Sequence, residues 1–167
     1  AINFDAFMRA IGTPPTPAAV TSAGVFNDQG NLVNGDVTSL ATAGDGNYLT
    51  VSSVPMSVGQ VAGVEFAMQG VNKSAKSIKL LLTLNAPPLT TTFVYLKNQA
   101  TGQYQVVQTI ANNGSDVQTK FFVKDLNNIP NFVRSGTMQG LVRVVYPARL
   151  SASPYQTSID QIAAVVQ

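Results

Sequence analysis

Turn-forming clusters punctuate this chain at short intervals from Ala23 onward, and no other feature restricts its fold so strongly. They are Asn27–Asn31, Asn34-Gly35-Asp36, Gly44-Asp45-Gly46-Asn47, Asn72–Ser74, Pro87-Pro88, Gln99–Gly102, Asn112-Asn113-Gly114, Asn127–Pro130 and Ser151–Pro154. The segments between them alternate with a period of two. Ile78, Leu80, Leu82 and Leu84 share one face against Lys79, Leu81 and Thr83, and Val117, Thr119, Phe121 and Val123 alternate with Gln118, Lys120, Phe122 and Lys124. Short alternating strands between turns predict an all-β chain: a two-layer antiparallel β-sandwich, jelly-roll-like, with about nine strands. Its expected core contains Ile78, Leu80, Leu82, Leu84, Phe93, Phe121, Val142, Val144 and Ile159. Asn113-Gly114 tolerates positive φ and predicts a hairpin joining Tyr104–Ile110 to Val117–Lys124. No period repeats along the chain, which argues against a solenoid or propeller.

The first 17 residues read differently. Phe4, Phe7, Met8 and Ile11 fall at i, i+3, i+4 and i+7, one face of a helix that Asn3 caps and Gly12 stops. The same stretch also admits a strand, with Ile2, Phe4, Ala6 and Met8 on one side. Thr13-Pro14-Pro15-Thr16-Pro17 then forms a stiff extended linker. The domain division is therefore an apolar segment and linker over 1–17 and a sandwich over 18–167.

Chemistry is narrowed by what the 167 residues lack. There is no Cys and no His, which removes thiolate and imidazole nucleophiles, Ser–His–Asp triads, Cys/His zinc sites and histidine-ligated haem. Charged residues make up only 11%, against about 25% in an ordinary soluble domain. Uncharged polarity replaces them, with Ser, Thr, Asn and Gln supplying 52 residues. The net charge of +2 comes from scattered lysines and arginines, of which Lys73, Lys76 and Lys79 read as a protected strand edge. No basic stripe for nucleic acid is present. No apolar run approaches the about 20 residues of a transmembrane helix. A first residue of Ala fits a mature chain after signal removal, or equally a fragment. The Thr/Asn/Gln-rich surface points to an extracellular or cell-surface location.

Three stretches resemble a β-sandwich domain of unassigned function found in large secreted and surface-attached bacterial proteins, commonly near their C-termini. Gly30-Asn-Leu-Val-Asn-Gly35, Leu40 and Asp45-Gly-Asn-Tyr48-Leu-Thr-Val51 are similar to its opening motif. Val94-Tyr-Leu-Lys-Asn98 with Thr101-Gly102-Gln-Tyr104-Gln-Val-Val107 resembles its central hairpin, although Lys97 replaces the usual aromatic. Val142-Arg-Val-Val-Tyr146, Ser153-Pro154-Tyr155 and Ile159-Asp160-Gln161-Ile162 resemble its closing motif. The resemblance covers roughly residues 22–163 and implies fold and secretion, with no ligand.

Among the remaining constellations, paired carboxylates are the acid–base chemistry still available. Asp36 and Asp45 lie in turns, Glu65 alternates outward between Val64 and Phe66, and Asp160 is expected to pair with Arg143 or Arg149 or to accept backbone N–H groups. None makes a catalytic pair, and the chain is expected not to be an enzyme. Asp28, Asp36 and Asp45 sit in Gly/Asn-rich turns that offer hard oxygen donors, so the expected cofactor is none beyond a structural calcium. Tyr95 and Tyr104 flank one predicted hairpin and are the candidates for stacking on a sugar. Ile2, Phe4, Phe7, Met8 and Ile11 need burial and are the candidates for assembly onto a neighbouring copy. The leading expectation is thus a non-enzymatic structural protein or surface module that assembles head-to-tail into a filament, sheath or surface layer, as a homo-oligomer or polymer. The alternative is a carbohydrate-binding or adhesion module whose partner is a polysaccharide.

Overall fold

The period-two alternation of the sequence is realised as two antiparallel sheets packed face to face. The computed structural model describes residues 18–115, 117–123, 129–150 and 153–166. Within them lie β1 (Ala18–Ala19), β2 (Ser22–Val25), β3 (Asn31–Asn34), β4 (Leu49–Ser52), β5 (Val54–Met56), β6 (Gly59–Met68) and β7 (Ile78–Asn85). They continue with β8 (Thr91–Asn98), β9 (Gln103–Ala111), β10 (Val117–Val123), β11 (Val133–Arg134), β12 (Thr137–Pro147) and β13 (Gln156–Val166). Sheet A runs β10-β7-β13-β4-β3, with β1 also on β13; sheet B runs β2-β6-β12-β8-β9, with β5 on β6 and β11 on β12. The strand count exceeds the expected nine chiefly because β1, β5 and β11 are pieces of two or three residues. Helical structure among the described residues is confined to single turns of three or four residues.

Between the sheets lies one apolar core. Ile78, Leu80, Leu82 and Leu84 from β7 meet Phe66 and Met68 from β6, Val142 and Val144 from β12, and Ile159 from β13, all buried. These burials match the expected core at every position except two. Phe93 is a correction: the inward positions of β8 are Thr92, Val94 and Leu96, so Phe93 is turned to the far side of sheet B and is only half-buried. Phe121 stands opposite Leu80 in the register of sheet A, and its side chain lies outside what the structure describes.

The expected Asn113-Gly114 hairpin is also corrected. Gly114 does take positive φ, 88°. Yet β9 pairs with β8 in sheet B, whereas β10 pairs with β7 in sheet A. The connection therefore crosses from one layer to the other. Asn112 pins the crossing: its side-chain amide donates to Thr90 Oγ1 at 3.0 Å and Thr92 Oγ1 at 2.8 Å. Strand partners are chosen by where an apolar face is buried, and the turn only permits the change of direction.

Residues 35–48 join β3 to β4 and are shaped at both ends. Gly35, at φ 84°, brings the chain against the Tyr48 carbonyl so closely that a Cβ would overlap it. Asp36 then caps a 3₁₀ turn, Val37–Leu40, by accepting from the Thr38 N–H at 2.9 Å. Leu40 on that turn is fully buried in the core. The first stretch of family resemblance is thus a scaffold: its glycine shapes the connection and its leucine anchors it.

Candidate functional site

The outer face of sheet B is built by the odd-numbered positions of β6, β8 and β12, because the even-numbered ones fill the core. Register places Gly24, Glu65, Leu141, Tyr95 and Val106 in one row across the five strands β2, β6, β12, β8 and β9. A flanking row holds Gly63, Arg143, Phe93 and Thr109. On the other side Ser22 and Gln139 stand opposite Ala67, and Tyr104 stands opposite Lys97. The predicted pair Tyr95 and Tyr104 is therefore brought to one face, as its place in a single hairpin implied. Phe93 joins them, its ring centroid 6.5 Å from that of Tyr95.

Tyr104 organises this face. Its hydroxyl donates to Glu65 Oε1 at 2.5 Å, so a residue of edge strand β9 is tied to one of β6, with β8 and β12 between. In a flat sheet those three strand spacings span about 14 Å. Both side chains must therefore lean inward over the strands between them. Leu141 beneath is only 3% exposed although it points away from the core. The Phe26 ring packs edge-on against Tyr104 at 5.4 Å, and Lys97 Nζ lies 6.0 Å from the same ring. Beside this arch, a hollow of about 160 Å³ is lined by Ser22, Gly24, Glu65, Ala67 and Gln139 among others. Gln139 is itself held by Gln99, whose amide donates to it at 3.1 Å.

Burial, and then the Glu65 carboxylate, pushes the Tyr104 phenol above its ordinary range; burial does the same to Tyr155, whose hydroxyl donates to the Val144 carbonyl at 2.6 Å. A phenol whose folded value is raised stabilises the fold fully below its unfolded value of 10.0, and that contribution is lost as pH climbs toward the folded value. The domain should accordingly lose stability above about pH 10, where unfolded phenols release protons that the folded ones keep. Urea midpoints measured across this range should fall less steeply for Tyr155→Phe than for the unaltered chain. Equal slopes in the two proteins would refute the assignment.

The predicted metal ligands are not gathered. No three acidic side chains among the described residues form a group that could hold a metal ion, and the expected trio is corrected on that point. Asp28 occupies a left-handed turn position, φ 58°, in the loop after β2. Asp36 is used as the cap, and Asp45 accepts from the Asn47 N–H at 2.9 Å within its own turn. Hydrogen bonding to Thr38 lowers the Asp36 carboxyl, and bonding to Asn47 lowers that of Asp45. Asp160 takes up the backbone-accepting role expected of it, receiving the Gly44 N–H on Oδ2 at 2.6 Å. The assembly candidates Ile2, Phe4, Phe7, Met8 and Ile11 lie outside the described residues.

Glu65, read from the sequence as an outward-facing strand residue, is the carboxylate to which this face is tied. One signal was present: it is the only glutamate in the chain, set in the middle of a long apolar strand.

No protein-family model and no curated protein matches the chain. Solved structures do. The family 11 carbohydrate-binding module of a cellulosomal cellulase from Clostridium thermocellum superposes with a TM-score of 0.53 at 11% identity, over 89% of this chain and 90% of that one. A family 29 carbohydrate-binding module from Piromyces equi gives 0.51 at 9% identity, over 89% and 88%. A variant of another family 29 module, made to probe ligand recognition, gives 0.52 at 8% identity, over 92% of each chain. At such identities the likeness establishes a shared sandwich fold. These neighbours are carbohydrate-binding modules. That overturns the leading expectation of a structural protein assembling head-to-tail, and it leaves the expected homo-oligomer or polymer without support.

Proposed function

We propose that the domain is a non-catalytic carbohydrate-binding or adhesion module that takes a polysaccharide chain on the outer face of sheet B. The observation that carries this reading is the convergence there of Tyr95, Tyr104 and Phe93 with the Glu65–Tyr104 hydrogen bond and the adjoining hollow. A sugar ring presents an apolar C–H face and a rim of hydroxyls. Aromatic side chains suit the first. Glu65, Gln139 and Lys97 supply the acceptors and donors for the second, on strands rather than loops, so that they are held in place before a ligand arrives. The shared fold with carbohydrate-binding modules supports the same reading. Residues 18–167 are then the binding unit, with 1–17 an apolar segment and linker beside it, and the module works outside the cell or on its surface, as the family resemblance implies.

Affinity electrophoresis through a panel of soluble polysaccharides, followed by titration of the retarding ones, tests it. Tyr104→Ala and Glu65→Gln should each weaken binding at least tenfold, the loss of one charge-assisted hydrogen bond at about 1.5–3 kcal/mol. Asp36→Ala, in the β3–β4 connection of sheet A, should leave binding unchanged. Wild-type affinity in both face variants would move the site elsewhere, and retardation by no polysaccharide would end the reading.

A further inference from the structure

Arg143 is a charged group of the outer face of sheet B that has no part in the arch of Glu65 and Tyr104. It stands opposite Phe93 on β8 and Gly63 on β6. Its side chain is half-buried, and its Nε is buried without a hydrogen-bond partner. A guanidinium nitrogen buried without an acceptor is costly. The loop over Gly63 does not compensate it, because Gln29 Oε1, packed there, is uncharged and itself buried without a partner. Among the described residues no carboxylate is paired with Arg143. The charge balance of the face points the same way. Its strands β2, β6, β12, β8 and β9 carry one carboxylate, Glu65, and two cations, Arg143 and Lys97. Glu65 is occupied by the Tyr104 hydroxyl, and Lys97 Nζ lies beside the Tyr104 ring. What the face holds out is therefore positive charge next to aromatic rings.

We infer that the ligand is an acidic polysaccharide, a polymer of uronic acids whose rings lie on Phe93 and Tyr95 while Arg143 takes a carboxylate. This rests on the polysaccharide reading above and names its ligand class. Aromatic rings do not discriminate among sugars by charge, since every pyranose presents a C–H face. Arg143 does: the planar uronate carboxylate matches the fork of a guanidinium and gives short, charge-assisted hydrogen bonds. A neutral sugar seated there would exclude water and leave the cation uncompensated. Phe93 and Lys97 share one face of β8 at a separation of four residues, about 13 Å in an extended strand. A polymer charged at every unit can therefore meet Arg143 with one carboxylate and Lys97 with another.

The test is calorimetric titration of the full chain with polygalacturonate, the same polymer fully methyl-esterified, dextran sulfate, and neutral glucans and galactans. Polygalacturonate should bind about tenfold or more tightly than its ester, with an affinity that falls as sodium chloride is raised. Arg143→Gln should weaken that binding about tenfold and Lys97→Gln by less. Lys73→Gln, in the exposed connection between β6 and β7, should not change it. The comparison of polymer with ester needs no variant, so it decides the matter even where Arg143→Gln does not fold. Equal binding of the ester, or binding of neutral polymers undiminished in Arg143→Gln, would overturn the acidic ligand and leave the polysaccharide module standing. Dextran sulfate binding as tightly as polygalacturonate, with equal losses in Arg143→Gln and Lys73→Gln, would reduce the effect to bulk charge and overturn it too. Binding of none of these polymers would bring down the inference together with the reading on which it rests.

Discussion

Gly140→Ala is expected to destabilise the domain by about 3 kcal/mol, the upper part of the range for overpacking a core. Gly140 lies on the inward side of β12, directly opposite Phe66 on β6. A Cβ built at Gly140 would overlap the Phe66 ring itself. The ring is 1% exposed and has no solvent into which to retreat, so either it leaves its rotamer or the two strands separate. For a chain of this length the Tm should fall by roughly 6–12 °C. The specific signature is rescue. Phe66→Leu alone removes core contacts and costs stability, but combined with Gly140→Ala it vacates the space that the new methyl needs. The double variant should therefore be more stable than the sum of the single losses by about 1–3 kcal/mol, a coupling that chemical denaturation resolves. Additive losses would mean that the ring and the glycine are not in contact.

Leu40→Ala should cost about 2–5 kcal/mol, for a different reason. Leu40 is the apolar anchor of the long β3–β4 connection and is completely buried. Removing its isobutyl group leaves a void at the rim of the core, and it also loosens the connection that carries Gly44 and Asp45. The loss is measurable in two ways. The global Tm should drop by roughly 5–15 °C. Under native conditions, hydrogen exchange at the Gly44 amide, which is bonded to Asp160, should accelerate more than exchange in β7 or β12. Protection at Gly44 falling only in step with global stability would show that Leu40 anchors nothing locally.

The fold was legible wherever a strand buries one face and shows the other to polar surroundings. β7 is the clearest instance, since shifting its register by one residue would have carried Lys79 into the core. β8 was not legible in the same way. Its run Thr91-Thr-Phe-Val-Tyr-Leu-Lys97 places large apolar groups on both faces, and hydrophobicity alone does not say whether Phe93 and Tyr95 or Val94 and Leu96 turn inward. Packing decides for the smaller, branched pair, and the aromatics are left for the outer face. That outcome misplaced Phe93, yet it is also what gives sheet B its aromatic surface. Glu65 was correctly read as outward, but its importance depends on the register of β9 against β8, which brings Tyr104 toward it and which no local pattern encodes. The role of Asp160 as a backbone acceptor was legible from its type and strand. Its particular partner was not, because Gly44 approaches it only through the completed fold.

The pairing of β1 with β13 sets Ala18 beside Ala164 and Ala19 beside Ala163. The two strands are antiparallel, so the chain enters the sandwich at the same end of the pair where it leaves. Tension applied between residues 18 and 166 therefore acts as a zipper pull. Hydrogen bonds of the pair are loaded one after another instead of together, and a two-residue strand offers few of them. Under a steady stretch the entrance should peel first and at low force, while the outer face of sheet B, built on other strands, keeps its shape.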